Sequence, residues 1–295
     1  MRVLVIGACN IDVIGTSKNP IKKSESNIGD INIAVGGVAK NIATNLQYLK
    51  ADVCFLTAIG NDDFASMQIN HLQNLGLDFS ESFRKDAKSS IYLAIHDDLG
   101  ELETAVNDMN TFQNLTIEDF ETKHEYIEQF DALVFDTNLN EETLTYLIKK
   151  YKNKKIFVDG VSQSKVGRIK NVMEYIDLLK INQFELYALL NLPLCDIIVG
   201  VREITKLGVK NCVVSSQKEP ITYNIDNSVY QSITHKTKDI KSTIGAGDAL
   251  FSGIILYLLN NKNMHEAVNF GKIVASKTLE VYEANNKEIV ELIDL

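Results

Sequence analysis

Short apolar runs with no polar alternation recur along the chain and leave few architectures open: Val3-Leu4-Val5-Ile6, Val53-Cys54-Phe55-Leu56, Ala132-Leu133-Val134-Phe135, Lys155-Ile156-Phe157-Val158 and Cys212-Val213-Val214-Ser215. A strand with one face in water alternates apolar with polar residues, whereas a strand covered on both faces reads as an unbroken apolar run. The intervening segments are long enough for helices, and parallel neighbours need such crossovers. The pattern predicts an α/β fold with a mostly parallel central sheet. Between the first two runs, Val38, Ile42, Leu46 and Leu49 keep helical spacing, which predicts a helix opening at Gly36-Gly37.

Two stretches, residues about 12 to 35 and 88 to 107, break the strand and helix rhythm and read as a small antiparallel sheet. The second is the clearer. Ser90-Ile91-Tyr92-Leu93-Ala94-Ile95, the polar turn Asp97-Asp98-Leu99-Gly100 and Leu102-Glu103-Thr104-Ala105-Val106 make a hairpin pattern. Such an insertion can act as a lid. The chain has 295 residues, no internal repeat, no low-complexity linker and only three prolines. The expectation is one domain spanning 1–295 with the lid embedded in it, not tethered to it.

Composition removes several function classes. Lys and Arg number 30 against 39 Asp and Glu, a formal charge of -9, and no arginine-rich run or basic-aromatic stripe is present. This argues against a nucleic-acid partner. The opening MRVLVIGACNID holds too few apolar residues for a signal peptide or a membrane span, which points to a cytoplasmic protein with no membrane partner. Cys9, Cys54, Cys195 and Cys212 are scattered, without metal-ligand spacing, and read as reduced core residues. His265-Glu266 begins a zincin-like pattern, but Asn269 stands where the second histidine belongs, so zinc chemistry has no support.

Gly245-Ala246-Gly247-Asp248 runs directly into the apolar stretch Ala249-Leu250-Phe251-Ser252-Gly253-Ile254-Ile255-Leu256. Two glycines let backbone amides crowd around an anion, and a helix starting there adds its positive dipole end. A carboxylate beside such an anion hole is placed to act as a base in phosphoryl transfer. The same tetrapeptide also fits a glycine turn before a buried helix, with Asp248 as its cap.

Several separated motifs fall in one order: Gly7-Ala8-Cys9-Asn10-Ile11-Asp12, Gly36-Gly37-Val38-Ala39-Lys40-Asn41, Lys180-Ile181-Asn182-Gln183-Phe184-Glu185 and the Gly245–Asp248 turn. Together, across essentially the whole chain, they resemble the ribokinase-like (PfkB) carbohydrate kinase family. The resemblance implies a three-layer sandwich with a small antiparallel β-sheet lid. It also implies a sugar-binding turn holding Asn10 and Asp12, with Asp12 accepting hydroxyl hydrogen bonds. Gly36 and Gly37 would permit close approach to the sugar, and Asn41 would hydrogen-bond it. Asp248 is implied as the catalytic base, with Gly245, Ala246 and Gly247 as the anion hole and Gly247 also at the nucleotide. Asn182 and Glu185 would organise Mg²⁺ and its waters around the phosphates of ATP, Asn182 lying also on the nucleotide side. Read alone, Asp12 is a turn residue, Gly36-Gly37 a helix start, Asn41 a surface residue, and Asn182 with Glu185 a capping pair.

A narrower similarity, to the pseudouridine-phosphorylating branch of that family, rests on Ala105-Val106-Asn107-Asp108-Met109, the Gly-Gly-Val opening of the sugar motif, and Phe157-Val158-Asp159-Gly160-Val161-Ser162 with Lys165, Gly167, Ile169 and Lys170. It implies substrate contacts from Asn107, Asp108 and Lys165. By themselves, Asn107 and Asp108 also fit a hairpin end, and Lys165 a solvated charge. Two departures stand out. Ser242 replaces an aspartate that is associated in the family with monovalent-cation binding, which leaves potassium activation open. Val214-Ser215-Ser216-Gln217 lacks the usual glycine, which leaves Ser215 only a candidate nucleotide contact. The implied activity is ATP-dependent phosphorylation of the 5′-hydroxyl of pseudouridine, a small-molecule nucleoside, by a homodimer paired through the lid. The alternatives are a kinase for ribose or another sugar or nucleoside, and a non-catalytic nucleoside sensor.

Overall fold

The computed structural model describes residues 1–192, 196–216, 220–233, 237 and 239–294, the side chain of Asp294 excepted; Cys195 and Gln217 fall outside the described residues. The strands are β1 Arg2–Ile6, β2 Asn10–Ser17, β3 Gly29–Gly36, β4 Asp52–Leu56, β5 Ala58–Ile59, β6 Phe83–Arg84, β7 Ile91–His96, β8 Leu102–Asp108, β9 Ala132–Asp136, β10 Lys155–Asp159, β11 Leu178–Asn182, β12 Asn211–Ser215, β13 Ile221–Ile225 and β14 Ser228–Ser232. The helices are α1 Val38–Tyr48, α2 Asp63–Asn74, the short α3 Asn110–Gln113, α4 Ile117–Glu121 and α5 His124–Ile127, then α6 Glu141–Lys150, α7 Gln183–Leu190, α8 Ile197–Lys206, α9 Ala246–Leu259 and α10 Met264–Thr278.

All five apolar runs are strands of one eight-stranded sheet, ordered β14-β13-β12-β11-β10-β9-β1-β4. It is parallel from β4 through β12, and β13 and β14 close it antiparallel. β9 shows why its run had to be unbroken, being buried along its whole length. Leu133 and Phe135 face one apolar cluster together with Leu144, Leu147 and Leu186, whereas Ala132 and Val134 face a second with Ile42, Leu46 and Phe251. Helices α6, α7 and α8 thus cover one face, and α1, α9 and α10 the other, giving three layers. Burial of each large side chain contributes about 1.5–3 kcal/mol, so both faces must be covered for the sheet to hold. Helix α1 opens where its spacing predicts, with Gly37 as N-cap. Cys9, Cys54 and Cys212 are free and buried.

Four of the parallel strands end in polar residues at one edge: β9 in Asp136, β10 in Asp159, β11 in Asn182 and β12 in Ser215. In open α/β sheets the carboxyl edge is where ligands bind. The lid rises from that edge, because β2 begins just beyond the end of β1. It is a four-stranded sheet ordered β3-β2-β7-β8, two antiparallel hairpins whose inner strands lie parallel. Among the described residues, no helix is long and apolar enough to cross a membrane.

Candidate active site

The turn before α9 has the form its glycines permit. Gly245 is the N-cap, with φ 77°, and a Cβ there would lie 2.0 Å from the carbonyl oxygen of Ala284. Only glycine takes that left-handed conformation this close to another backbone. Of the implied anion hole, the Ala246 amide donates to the Thr243 carbonyl at 3.4 Å, whereas the amides of Gly245, Gly247 and Asp248 have no acceptor among the described residues. The last two belong to the first turn of α9, where free N–H groups and the helix dipole favour an anion. The helix behind them is anchored by Phe251, Ile254 and Ile255, all fully buried.

Asp248 is 8% exposed, and its Oδ2 accepts a 2.7 Å hydrogen bond from Asn41 Nδ2. Burial pushes its carboxyl up to about 7; the Lys180 ammonium opposes the rise, Asp159 adds to it, and Asn41 and Lys40 oppose it. A carboxyl at that position is poised to exchange a proton near neutrality. Asn41 Oδ1 is buried without a partner among the described residues, an open acceptor beside the acid.

Asp12 and Asn10 come from the start of β2, where Asn10 Nδ2 donates to Asp12 Oδ1 at 2.6 Å. Burial raises the Asp12 carboxyl, against the Asn10 bond and the charge of Lys40. Gly36 makes room for it, since a Cβ on Gly36 would fall 2.0 Å from Asp12 Oδ2. The structure thus brings Asn10, Asp12, Gly36, Gly37, Asn41 and the Gly245–Asp248 turn together around Lys40.

Asn182 and Glu185 form a reciprocal cap on α7. Asn182 Oδ1 accepts from the amides of Phe184 and Glu185, both at 2.9 Å, while Glu185 accepts from Asn182 N at 2.9 Å and Nδ2 at 2.6 Å. The capping reading is therefore correct as geometry, and it leaves the metal role open, because each carboxylate oxygen keeps a second lone pair. Burial raises the Glu185 carboxyl, against the pull of Lys180. Among the described residues, no three His, Cys, Asp or Glu side chains converge as a metal cage. The hard oxygen donors here fit magnesium at one remove, held through its own waters and the phosphates of a nucleotide.

Lys180 and Asp159 lie inside motifs quoted above that assign them no role, and Asp136 follows the third apolar run. Lys180 Nζ lies 2.9 Å from Asp159 Oδ2, a buried ion pair whose angle departs from the hydrogen-bonding direction. Burial alone would lower the lysine, but Asp159, Glu185 and Asp248 together hold it above the ordinary range. A Cβ on Gly247 would sit 3.0 Å from the ammonium, which places this charge directly beside the anion turn. Asp136 accepts from the Ala8 amide and from Asn138, whose Oδ1 in turn receives Lys165 Nζ at 2.6 Å. Asp136 and Asp159 are the polar positions that close β9 and β10, whereas Lys180 sits in the middle of β11 and meets Asp159 only through the pairing of the strands.

The lid register separates two neighbours. Asp12 pairs with Ala34 and Tyr92, and Tyr92 pairs with Asn107, so Asn107 shares a face with Asp12. Asp108 pairs with Ile91 and takes the opposite face, where its Oδ1 accepts from the Asn110 amide. The implied contact from Asp108 thus does not share the face of Asp12; its carboxylate closes a turn. Ser215 pairs with Asn182 at the sheet edge. Ser242 Oγ accepts from the Ile244 amide at 3.1 Å, a local turn.

The chain is similar to the pseudouridine kinase of Escherichia coli K12, at 29% identity over 97% of this chain and 93% of that protein. It is also similar to the guanosine-inosine kinase of Exiguobacterium acetylicum, at 26% identity over 99% of this chain and 98% of that protein. Among solved structures, ribokinase from Thermotoga maritima superposes with a TM-score of 0.86 at 23% identity, covering 99% of both chains, a likeness of fold. The model of the pfkB family carbohydrate kinases matches residues 1–290, which takes in sheet, lid and α9 turn together, and by that match the chain belongs to the family.

Proposed function

We propose that this phosphotransferase is an ATP-dependent kinase, built as one domain with an inserted lid, that phosphorylates the 5′-hydroxyl of pseudouridine. The observation that carries the kinase reading is Asp248: a buried carboxyl at the first turn of α9, bonded to Asn41, with a proton affinity near neutral pH. Asp248 takes the proton of the acceptor hydroxyl as its oxygen attacks the γ-phosphorus, and the bond to the leaving ADP breaks. The amides of Gly247 and Asp248 stabilise the phosphoryl oxygens in flight, and Lys180 adds a fixed positive charge beside them. Asp12, held by Asn10, and Asn41 orient the sugar; Asn107 faces the base from the lid, and Lys165, placed by Asn138, borders the same edge. Asn182 and Glu185 would hold the waters of Mg²⁺, which when bound neutralises charge on the phosphates. Ser215 is the proposed nucleotide-side contact next to Asn182.

The choice of pseudouridine is supported by the relative at 29% identity, and the purine nucleoside kinase at 26% favours a second reading, another nucleoside. Exposed Ile33, Leu93 and Val106 on the lid's outer face support pairing of two copies there. The test is kcat/KM for pseudouridine, uridine, guanosine, inosine, adenosine and ribose under one set of conditions. A site that hydrogen-bonds the extra ring N–H of pseudouridine prefers it to uridine. Preference for guanosine or inosine supports the second reading, and preference for ribose removes the nucleoside assignment while leaving the kinase.

A further inference from the structure

Lys40, in the first turn of α1, is 3% exposed, and the chemistry above gives it no task. A buried ammonium has three donors to satisfy. Among the described residues its hydrogen-bond partner is Asn285 Oδ1, at 3.3 Å. Asn285 in turn donates from Nδ2 to the main-chain oxygen of Asn41 and to Asn45 Oδ1, both at 2.9 Å. The preceding residue, Ala284, supplies the carbonyl against which Gly245 is packed. The short segment 284–286 therefore touches both halves of the site, the helix that carries Asn41 and the turn that starts α9.

Burial lowers the Lys40 ammonium below the ordinary lysine range, and the titratable groups facing it come from four other elements: Cys9 after β1, Asp12 on β2 and Asp248 on α9, which oppose the fall, and His71 on α2. Burial pushes the Cys9 thiol up to about 12 and lowers His71 to about 4, so both are uncharged at working pH. That leaves two carboxylates, both in the proposed acceptor site, opposite one lysine. Acids withdrawn from water need a compensating charge to stay ionised together.

We propose that Lys40 is a positioning residue of the phosphoryl-acceptor site, its ammonium fastening the Asn285 segment to α1 and balancing the charges of Asp12 and Asp248. This rests on the kinase reading. The test compares full-length wild type with Lys40→Met and Lys40→Arg, measuring kcat and KM for nucleoside and for ATP between pH 5.5 and 9. In Lys40→Met, the acid limb of kcat/KM moves up by about one pH unit, because Asp248 loses a nearby cation while Lys180 on β11 and Asp159 on β10 still face it. Nucleoside KM rises about tenfold and ATP KM changes little. Lys40→Arg keeps the charge and holds the limb in place. An unmoved limb in Lys40→Met, or the same shift in Lys40→Arg, overturns the proposal. If Lys40→Met does not fold, Asn285→Ala decides it: the segment loosens and nucleoside KM rises with the limb unmoved, and an unchanged KM overturns the fastening role. Wild type that turns over no sugar or nucleoside overturns the kinase reading and this inference with it, an outcome distinct from active wild type with an indifferent Lys40.

Discussion

The α9 turn and the lid both reach Lys40, through Asp248 and Asp12, and are built on opposite terms. Behind the turn, Ala249, Phe251, Ile254 and Ile255 are fully buried, and Gly253 packs so closely on α10 that a Cβ would lie 2.7 Å from Gly271 Cα. The lid is a single sheet with β8 exposed along its whole length and Ile31, Leu93 and Val106 open to solvent. Groups that stabilise a charge in transit gain from rigidity, since they act without reorganising at the moment of reaction. A surface that must admit and enclose a substrate belongs to the less stable end of the structure. Substitutions on the α9 side should therefore strike turnover, and substitutions on the lid should strike substrate affinity.

The sharpest break of that contrast would come from Asp248. Asp248→Asn preserves volume and removes the proton acceptor, so kcat should fall by roughly 10²-fold or more with nucleoside Kd little changed. Steady-state kinetics with calorimetric binding checks this, and wild-type turnover in the variant would take Asp248 out of catalysis. Next in size is Asp12→Ala on the lid side. Loss of a charged acceptor for sugar hydroxyls should weaken nucleoside binding by about 1.5–3 kcal/mol and leave nucleotide binding unchanged. Unchanged nucleoside affinity in calorimetry would remove Asp12 from the sugar site.

A finer test lies within the lid. Asn107→Ala should raise nucleoside KM by roughly two- to tenfold, the worth of one net hydrogen bond, whereas Asp108→Ala, on the other face, should leave KM alone. The reverse pattern would mean that the lid engages substrate with its other face. The smallest effect concerns stability. The Asp248 carboxyl is raised in the folded state to about 7 from an ordinary value of 3.8. Between those values the folded chain binds a proton that the unfolded chain does not, so stability falls as pH rises through the window, and above it the folded state carries the full cost. Asp248→Asn should raise Tm by roughly 2–4 °C at pH 8, about 1 kcal/mol in a chain of this size, and by less at pH 5. A larger gain at pH 5, measured calorimetrically, would contradict the buried ionised acid.

Legibility followed the same division. The five strands, the start of α1 and the turn at Gly245–Asp248 could be read directly, because burial on both faces and a left-handed turn are recorded in adjacent residues. Asn182 and Glu185 were legible as a pair, and their capping geometry followed from their spacing alone. Lys180, Asp159 and Lys40 were not, since a lysine or aspartate among apolar residues carries no local mark of whether it meets water or another charge.

By itself, the sequence determined which segments are covered on both faces and where an anion-binding turn interrupts them, for these depend on neighbours along the chain. Only the tertiary structure decided that Asn107 and not Asp108 shares the face of Asp12, because strand register is set by pairing between distant segments. It also decided that Lys40, Asp248 and Asn285 meet, since a buried charge can be held only where separate elements close around it and supply its counter-charge.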